Sequence, residues 1–170
     1  MSRLGYARMS LETIAHKAGT TKPTIYTRWS SKAELAAAAL ESLRLRTPRQ
    51  PTGEIRADLI EELTLFRKGA LRANGVTMLG TVLAEQHATP ELLRVFRKQV
   101  VAPRRENLRR IIQAGLDAGQ LRPHADVEIA ITMLVGSLYA AYMADTPTRA
   151  NWAESVVDAW LYGNATSERT

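Results

Sequence analysis

The chain has 170 residues, 45% of them hydrophobic, which suits one well-buried core or a small head joined to a larger body. It contains no cysteine, so disulfides, thiolate metal sites and cysteine nucleophiles are excluded, and a reducing compartment, the cytoplasm, is expected. The net charge of +6 is confined to the start: residues 1–53 carry nine Lys or Arg against three acids, whereas residues 54–170 carry fourteen of each, so a basic segment that meets phosphates, or a solvated basic surface, precedes a neutral body.

In chain order the sequence reads as helices almost throughout, because alternating strand patterns are missing. Ser10 caps a short helix whose Leu11, Ile14, Ala15 and Ala18 share a face, and Gly19 supplies its left-handed stop. Thr20 or Thr21 caps a second helix, with Pro23 tolerated in the first turn, where its missing amide has no helical partner. Ser31 and Glu34 form a capping box that opens a third helix, and two prolines and a glycine in 47–53 mark a linker.

Beyond the linker, Ile55, Leu59, Leu63, Phe66 and Ala70 form a stripe at helical spacing, which Asn74-Gly75 ends. A shorter helix follows. Thr89-Pro90-Glu91 then starts a long run closed by Gly119, in which Pro103 must kink or split the helix. Asp126 caps the next long helix, Thr148 or Asn151 precedes the last one, and 164–170 is expected to fray. Seven basic residues against one acid in 94–110 alternate with apolar ones, as on a solvated helix face.

Two short helices joined by a tight glycine turn make a helix-turn-helix, whose second helix enters the major groove. At its cap, outward amides and the helix dipole favour a phosphate. Lys22, Thr24 and Thr27 are expected to face outward and Ile25 to face inward toward Ile14, while Tyr26 and Trp29 pack their apolar bodies on the head and extend polar tips to backbone oxygens.

The stretch GYARMSLETIAHKAGTTKPTIYTRWSSKAEL, residues 5–35, resembles the DNA-binding head of the tetracycline-repressor (TetR) family. Gly5-Tyr6, Ser10, Ile14-Ala15, Ala18-Gly19, Thr21-Lys22, Tyr26, Trp29, Ser31-Lys32 and Leu35 carry the likeness. It implies an all-α fold: a helix-turn-helix head over 1–46, a linker over 47–53, and a ligand-binding and dimerisation domain over 54–170. It also implies phosphate contacts from Ser10, Thr21, Tyr26 and Lys32, with base or backbone contacts from Lys22, Pro23, Thr24 and Thr27. Only Met1–Leu4 stand where the family carries a first helix, so the sequence is expected to fall short of the native start, and a chain beginning at Met1 to have a mobile head and weak operator binding.

The rest of the chain resembles the family's helical regulatory domain, whose last two long helices make a four-helix dimer interface. Gly136, Ala140 and Ala144 recur every four residues, a small-residue strip that allows close helix approach, with Ile129 and Met133 beside it. Val156, Ala159 and Trp160 make the following helix strongly apolar, and either a homodimer or intrachain core accounts for this. The resemblance implies a small-molecule pocket among Phe66, Met78, Leu79, Val82, Phe96, Met133 and Tyr139, with Glu85, Gln86 and His87 placed to orient the ligand.

No membrane span, signal peptide, cofactor fingerprint or metal spacing is read, and the glycines of 75–81 lack the lysine and strand of a phosphate loop. The expected function is therefore not enzymatic. It is a cytoplasmic, ligand-responsive repressor that binds a palindromic DNA operator as a homodimer and needs no cofactor. The alternative is a helical dimer, binding a small molecule or a protein, whose head no longer binds DNA.

Overall fold

The computed structural model describes residues 6, 9–41, 50–71, 75–164 and 166. The expectations that fall on Met1–Gly5 and on 42–49, including the expected lack of a first helix and the first three residues of the linker, lie outside these residues. The described chain is helical: α1 (Leu11–Lys17), α2 (Lys22–Arg28), α3 (Lys32–Glu41), α4 (Ile55–Leu71), α5 (Gly75–Ala84), α6 (Pro90–Phe96), a π segment (Arg97–Val101), α7 (Ala102–Asp117), α8 (Val127–Met143) and α9 (Trp152–Asn164). It gathers into two compact units, residues 1–46 with 70–103 and residues 47–69 with 104–170, so α5, α6 and the π segment pack with the head.

In the first unit local chemistry sets the helix ends. The Ser10 hydroxyl accepts from Thr13 N at 3.3 Å and Thr21 Oγ1 from Thr24 N at 3.3 Å, each satisfying an amide the first turn leaves open. Gly19 adopts φ +63°, and Gly19 N and Thr20 N donate back to His16 O and Ala15 O, the paired bonds of a Schellman stop. Glu34 N donates to Ser31 Oγ at 3.1 Å, but the Glu34 carboxylate reaches Ser30 N and Oγ rather than Ser31, so the capping box closes one residue early.

Two small clusters hold this unit together. Leu11, Ala15 and Ile25 are buried between α1 and α2, with Ile14, Trp29 and Leu35 against them, as the inward placement of Ile25 requires. Tyr6 and Ala36 are buried with Val82, Leu92, Val95 and Phe96, which ties α3 to α5 and α6. Burial raises the Tyr6 phenol above its ordinary pKa, with the Thr89 side chain lowering it in part. Gly75, read as part of a stop, opens α5 instead.

The run that Pro103 is expected to kink or split is divided just ahead of it: α6 widens into a π turn, with Ala102 N donating to Arg97 O, before α7 begins. A proline cannot donate to the carbonyl one turn back, and the wider turn relieves that site. The boundary between the two units falls at this residue.

The second unit buries the predicted stripe of α4, Ile55, Leu59, Leu63 and Phe66, with Leu108, Ile111 and Ile112 of α7 and Ile131, Leu134 and Leu138 of α8. Gly115 admits close approach, because a Cβ there would collide with the Ile55 side chain. Asp126 caps α8 by accepting from Glu128 N and Ile129 N. Of the two residues expected to precede the last helix, Asn151 directly precedes α9, and Thr148 receives Arg67: Nη2 donates to its carbonyl at 2.8 Å and Nε to its hydroxyl at 3.4 Å. Arg56 grips Asp158 through two bonds of 2.7 and 3.0 Å. Within 164–170, expected to fray, the described Thr166 is tied: its N donates to Gln120 O and its hydroxyl donates to Gly119 O.

Candidate nucleic-acid interface

The face that α2 presents follows from its brevity. Seven residues buried at one point, Ile25, leave two full turns outside the core. Pro23, Thr24, Tyr26, Thr27 and Arg28 are exposed, and Lys22 is half-buried beside them. Tyr26, expected to rest its ring on the head, is 46% exposed, so its ring belongs to the outward face; Trp29 is the aromatic that packs. Arg28 did not stand out in the sequence, being one basic residue among many, yet it extends the face one turn beyond Thr24.

The hydroxyls along this face are already organised. Thr21 and Thr24 share a bond of 2.8 Å between their Oγ1 atoms, and Thr27 Oγ1 donates to Pro23 O at 3.1 Å. Each keeps a lone pair or a rotatable proton for a base edge or a phosphate. Thr20 differs: it is half-buried and its amide is spent on Ala15 O, so it shapes the turn.

A carboxylate lies within the same surface. Lys22 Nζ is paired with Glu12 Oε1, and the Ser10 hydroxyl donates to Glu12 Oε2 at 2.9 Å. The bond from Lys22, followed by a backbone bond and the one from Ser10, holds the Glu12 carboxyl down to about 2, while Glu12 raises the Lys22 amine. A phosphate approaching Lys22 or Ser10 therefore competes with Glu12. Lys32 lies 4.5 Å above the Tyr6 ring centroid, a cation–π contact that aims its ammonium from the start of α3.

The residues expected to line a small-molecule pocket fall into separate groups. Met78, Leu79, Val82 and Phe96 are core of the first unit. Gln86 and His87 line an open groove in that same unit. In the second unit Phe66 meets Tyr139 edge-on, centroids 5.6 Å apart, and Met133 is 58% exposed.

Beside Phe66 lies a feature that periodicity gave no sign of. Arg104 sits 4.8 Å above the Phe66 ring and 3.5 Å from Glu62, with both side chains 12% exposed. Glu62 Oε1 and Arg104 Nη1 are buried without a hydrogen-bond partner, and burial raises the Glu62 carboxyl and lowers the Arg104 guanidinium. The solvated-face reading of 94–110 thus fails at Arg104, which the fold draws inward.

Among the expected dimer residues, Ile129, Met133, Ala140, Ala144 and Ala159 are exposed and Gly136 and Val156 half-buried. Trp160 is instead 8% exposed and belongs to the core of its own unit, with Trp152, Ala153 and Val157. Tyr142, Met143 and Tyr162 add exposed apolar surface to α8 and α9.

Comparison with known proteins places this geometry. A family model described as bacterial regulatory proteins, tetR family, matches residues 1–39, and one described as tetracyclin repressor-like, C-terminal domain, matches residues 49–160. The HTH-type transcriptional regulator Rv1556 of Mycobacterium tuberculosis is 30% identical over 160 residues, 91% of this chain and 76% of that protein. The DNA-binding transcriptional repressor TetR of Mycobacteroides abscessus is 41% identical over 70 residues, 40% of this chain and 37% of that protein. The crystal structure of the TetR family transcription regulator SCO0332 superposes with a TM-score of 0.68 at 27% identity, covering 95% of this chain and 90% of that one.

Proposed function

Since this chain belongs to the TetR family of helix-turn-helix transcriptional regulators, we propose that it is a repressor: a homodimer that grips a palindromic operator through two copies of α2 and releases it when a small molecule binds the regulatory domain. The division of labour is a DNA-binding head over 1–46, a linker over 47–53 and a ligand-binding and dimerisation domain over 54–170, acting in the cytoplasm. One observation carries the reading: α2 buries only Ile25 and turns outward a face of hydroxyls and cations, with backbone and caps fixed by Gly19 and Thr21.

Each feature has a role. Thr24, Thr27 and Lys22 reach base edges or backbone in the major groove, with Pro23 against the sugar-phosphate wall. Ser10, Thr21, Tyr26 and Lys32 hold phosphates and fix the register, and Arg28 joins them at the far end. Two heads spaced one helical turn apart, about 34 Å, read the two half-sites. The exposed strip of Ile129, Met133, Gly136 and Ala140 on α8, with Val156 and Ala159 of α9, buries itself against its own copy.

Selection of random duplexes by the full chain, followed by titration of the recovered sequence across salt concentrations, tests this. A palindrome is expected, bound with a steep negative dependence of log K on log salt, since each neutralised phosphate releases counterions. No enriched sequence, or an affinity indifferent to salt, would sink the reading.

A further inference from the structure

The basic run 94–110 divides in two. In the second unit every cation of the run has a partner: Arg104 has Glu62, Arg105 has Glu128, Arg109 has Glu106 and Glu128, and Arg110 has Asn107 Oδ1. In the first unit Arg94 pairs with Glu91, but Arg97 and Lys98 have no acidic partner among the described residues. Both are exposed, and both line the same groove.

That groove has a volume of about 580 Å³, within the roughly 300–1,000 Å³ of small-molecule sites. Arg94, Arg97 and Lys98 share its lining with the apolar side chains of Pro90, Leu93 and Ala102. Gln86 and His87 add hydrogen-bonding groups to the lining, and no carboxylate among the described residues belongs to it. The π segment begins at Arg97, so both unpartnered cations sit on the widened turn that Pro103 calls for, and such turns recur at functional sites.

We propose that this groove seats a small organic acid, its carboxylate on Arg97 and Lys98 and its apolar body along Pro90, Leu93 and Ala102. A guanidinium donates two parallel N–H bonds to a carboxylate, and the ammonium of the next residue adds a third charge-assisted bond. A bare phosphate would leave the apolar lining of Pro90, Leu93 and Ala102 uncovered, and a nucleic-acid backbone would need a longer track of cations. If the chain is a small-molecule-responsive repressor, as proposed above, this seat names the chemical class of its effector. The binding itself does not rest on that reading.

The test uses the full chain with naphthalene-2-carboxylate as probe, and naphthalene-2-carboxamide and inorganic phosphate beside it, followed by calorimetry. The carboxylate is expected to bind once per chain, with the neutral amide and phosphate each at least about tenfold weaker, the range of one lost charge-assisted pairing. The double variant R97Q/K98Q, checked for an unchanged melting temperature, should lose the carboxylate by a similar factor, whereas R105Q should keep it. Equal binding of acid and amide, or undiminished binding by R97Q/K98Q, overturns the proposal. So does a shallower salt dependence of operator binding by R97Q/K98Q without ligand, since that would make the groove a DNA contact. Specific carboxylate binding that leaves the operator complex intact upholds the seat and removes only its part in release.

Discussion

The two compact units use charge and apolar surface in opposite ways. The first, with the helix-turn-helix, holds its head on the small Leu11, Ala15 and Ile25 cluster and directs Lys22, Arg28, Arg97 and Lys98 outward or into an open groove. The second draws Arg56, Arg104, Arg105 and Arg109 onto its own acids, the Arg104 pair into the interior, and leaves an apolar strip on α8 exposed. An exposed polar face meets an anion without a large desolvation cost, whereas an exposed apolar strip of this kind is stabilised only by being covered. The difference separates a surface for ligands that come and go from one for a lasting partner.

The contrast is open to attack, first at the interior pair. Glu62→Ala leaves Arg104 buried without its counter-charge and should cost about 3–5 kcal/mol by urea unfolding, with E62L/R104M recovering much of it. The pair also sets a pH dependence. Burial raises the folded-state Glu62 carboxyl above its usual 4.5, so its contribution is fully present below 4.5 and is lost as pH rises through the raised value. Glu62→Gln lacks that loss; its urea midpoint should therefore gain on wild type as pH climbs from 4.5, and parallel curves would count against the assignment.

The exposed strip is the second target. Ile129→Glu with Met133→Glu places two carboxylates on the proposed dimer face. Sedimentation should show monomer, and operator affinity should fall by at least about 100-fold through lost bivalency, while the melting of the monomer stays close to that of its own unit. A variant that remains dimeric would move the interface elsewhere.

Smaller effects probe the head. Lys22→Ala should weaken operator binding and lower the salt slope by about one, as expected for one phosphate contact, with unspecific duplex weakened in parallel; if Lys22 reads a base, only the operator suffers. Glu12→Gln should act the other way. By freeing Lys22 it should tighten both operator and unspecific duplex by about threefold in anisotropy titrations, since an exposed ion pair is a weak competitor. With the Glu12 carboxyl held down to about 2, this difference should persist unchanged from neutral pH to pH 5.

Much of this was legible in the residues. The caps at Ser10, Thr21 and Asp126, the stop at Gly19 and the stripe from Ile55 to Phe66 stand in the structure as spacing and turn chemistry predict, because each depends on neighbours within about one helical turn. Membership of the family was legible in the same way, since the turn and α2 are short-range features. What one-turn reasoning misplaced were matters of distance: Trp160 turned into the core of its own unit, and Arg104 drawn inward onto Glu62.

By itself the amino-acid order determined the capped helix starts at Ser10, Thr21 and Asp126, the stop at Gly19, the apolar face of α4, and that a basic head precedes a neutral body. Only tertiary packing decided which charges are used up within the chain. Arg97 and Arg104 look alike in sequence, seven residues apart in one basic run, but among the described residues an acid pairs with Arg104 and none with Arg97. Coulombic pairing and desolvation depend on what lies a few ångströms away in space, and the local pattern of a helix holds no record of that.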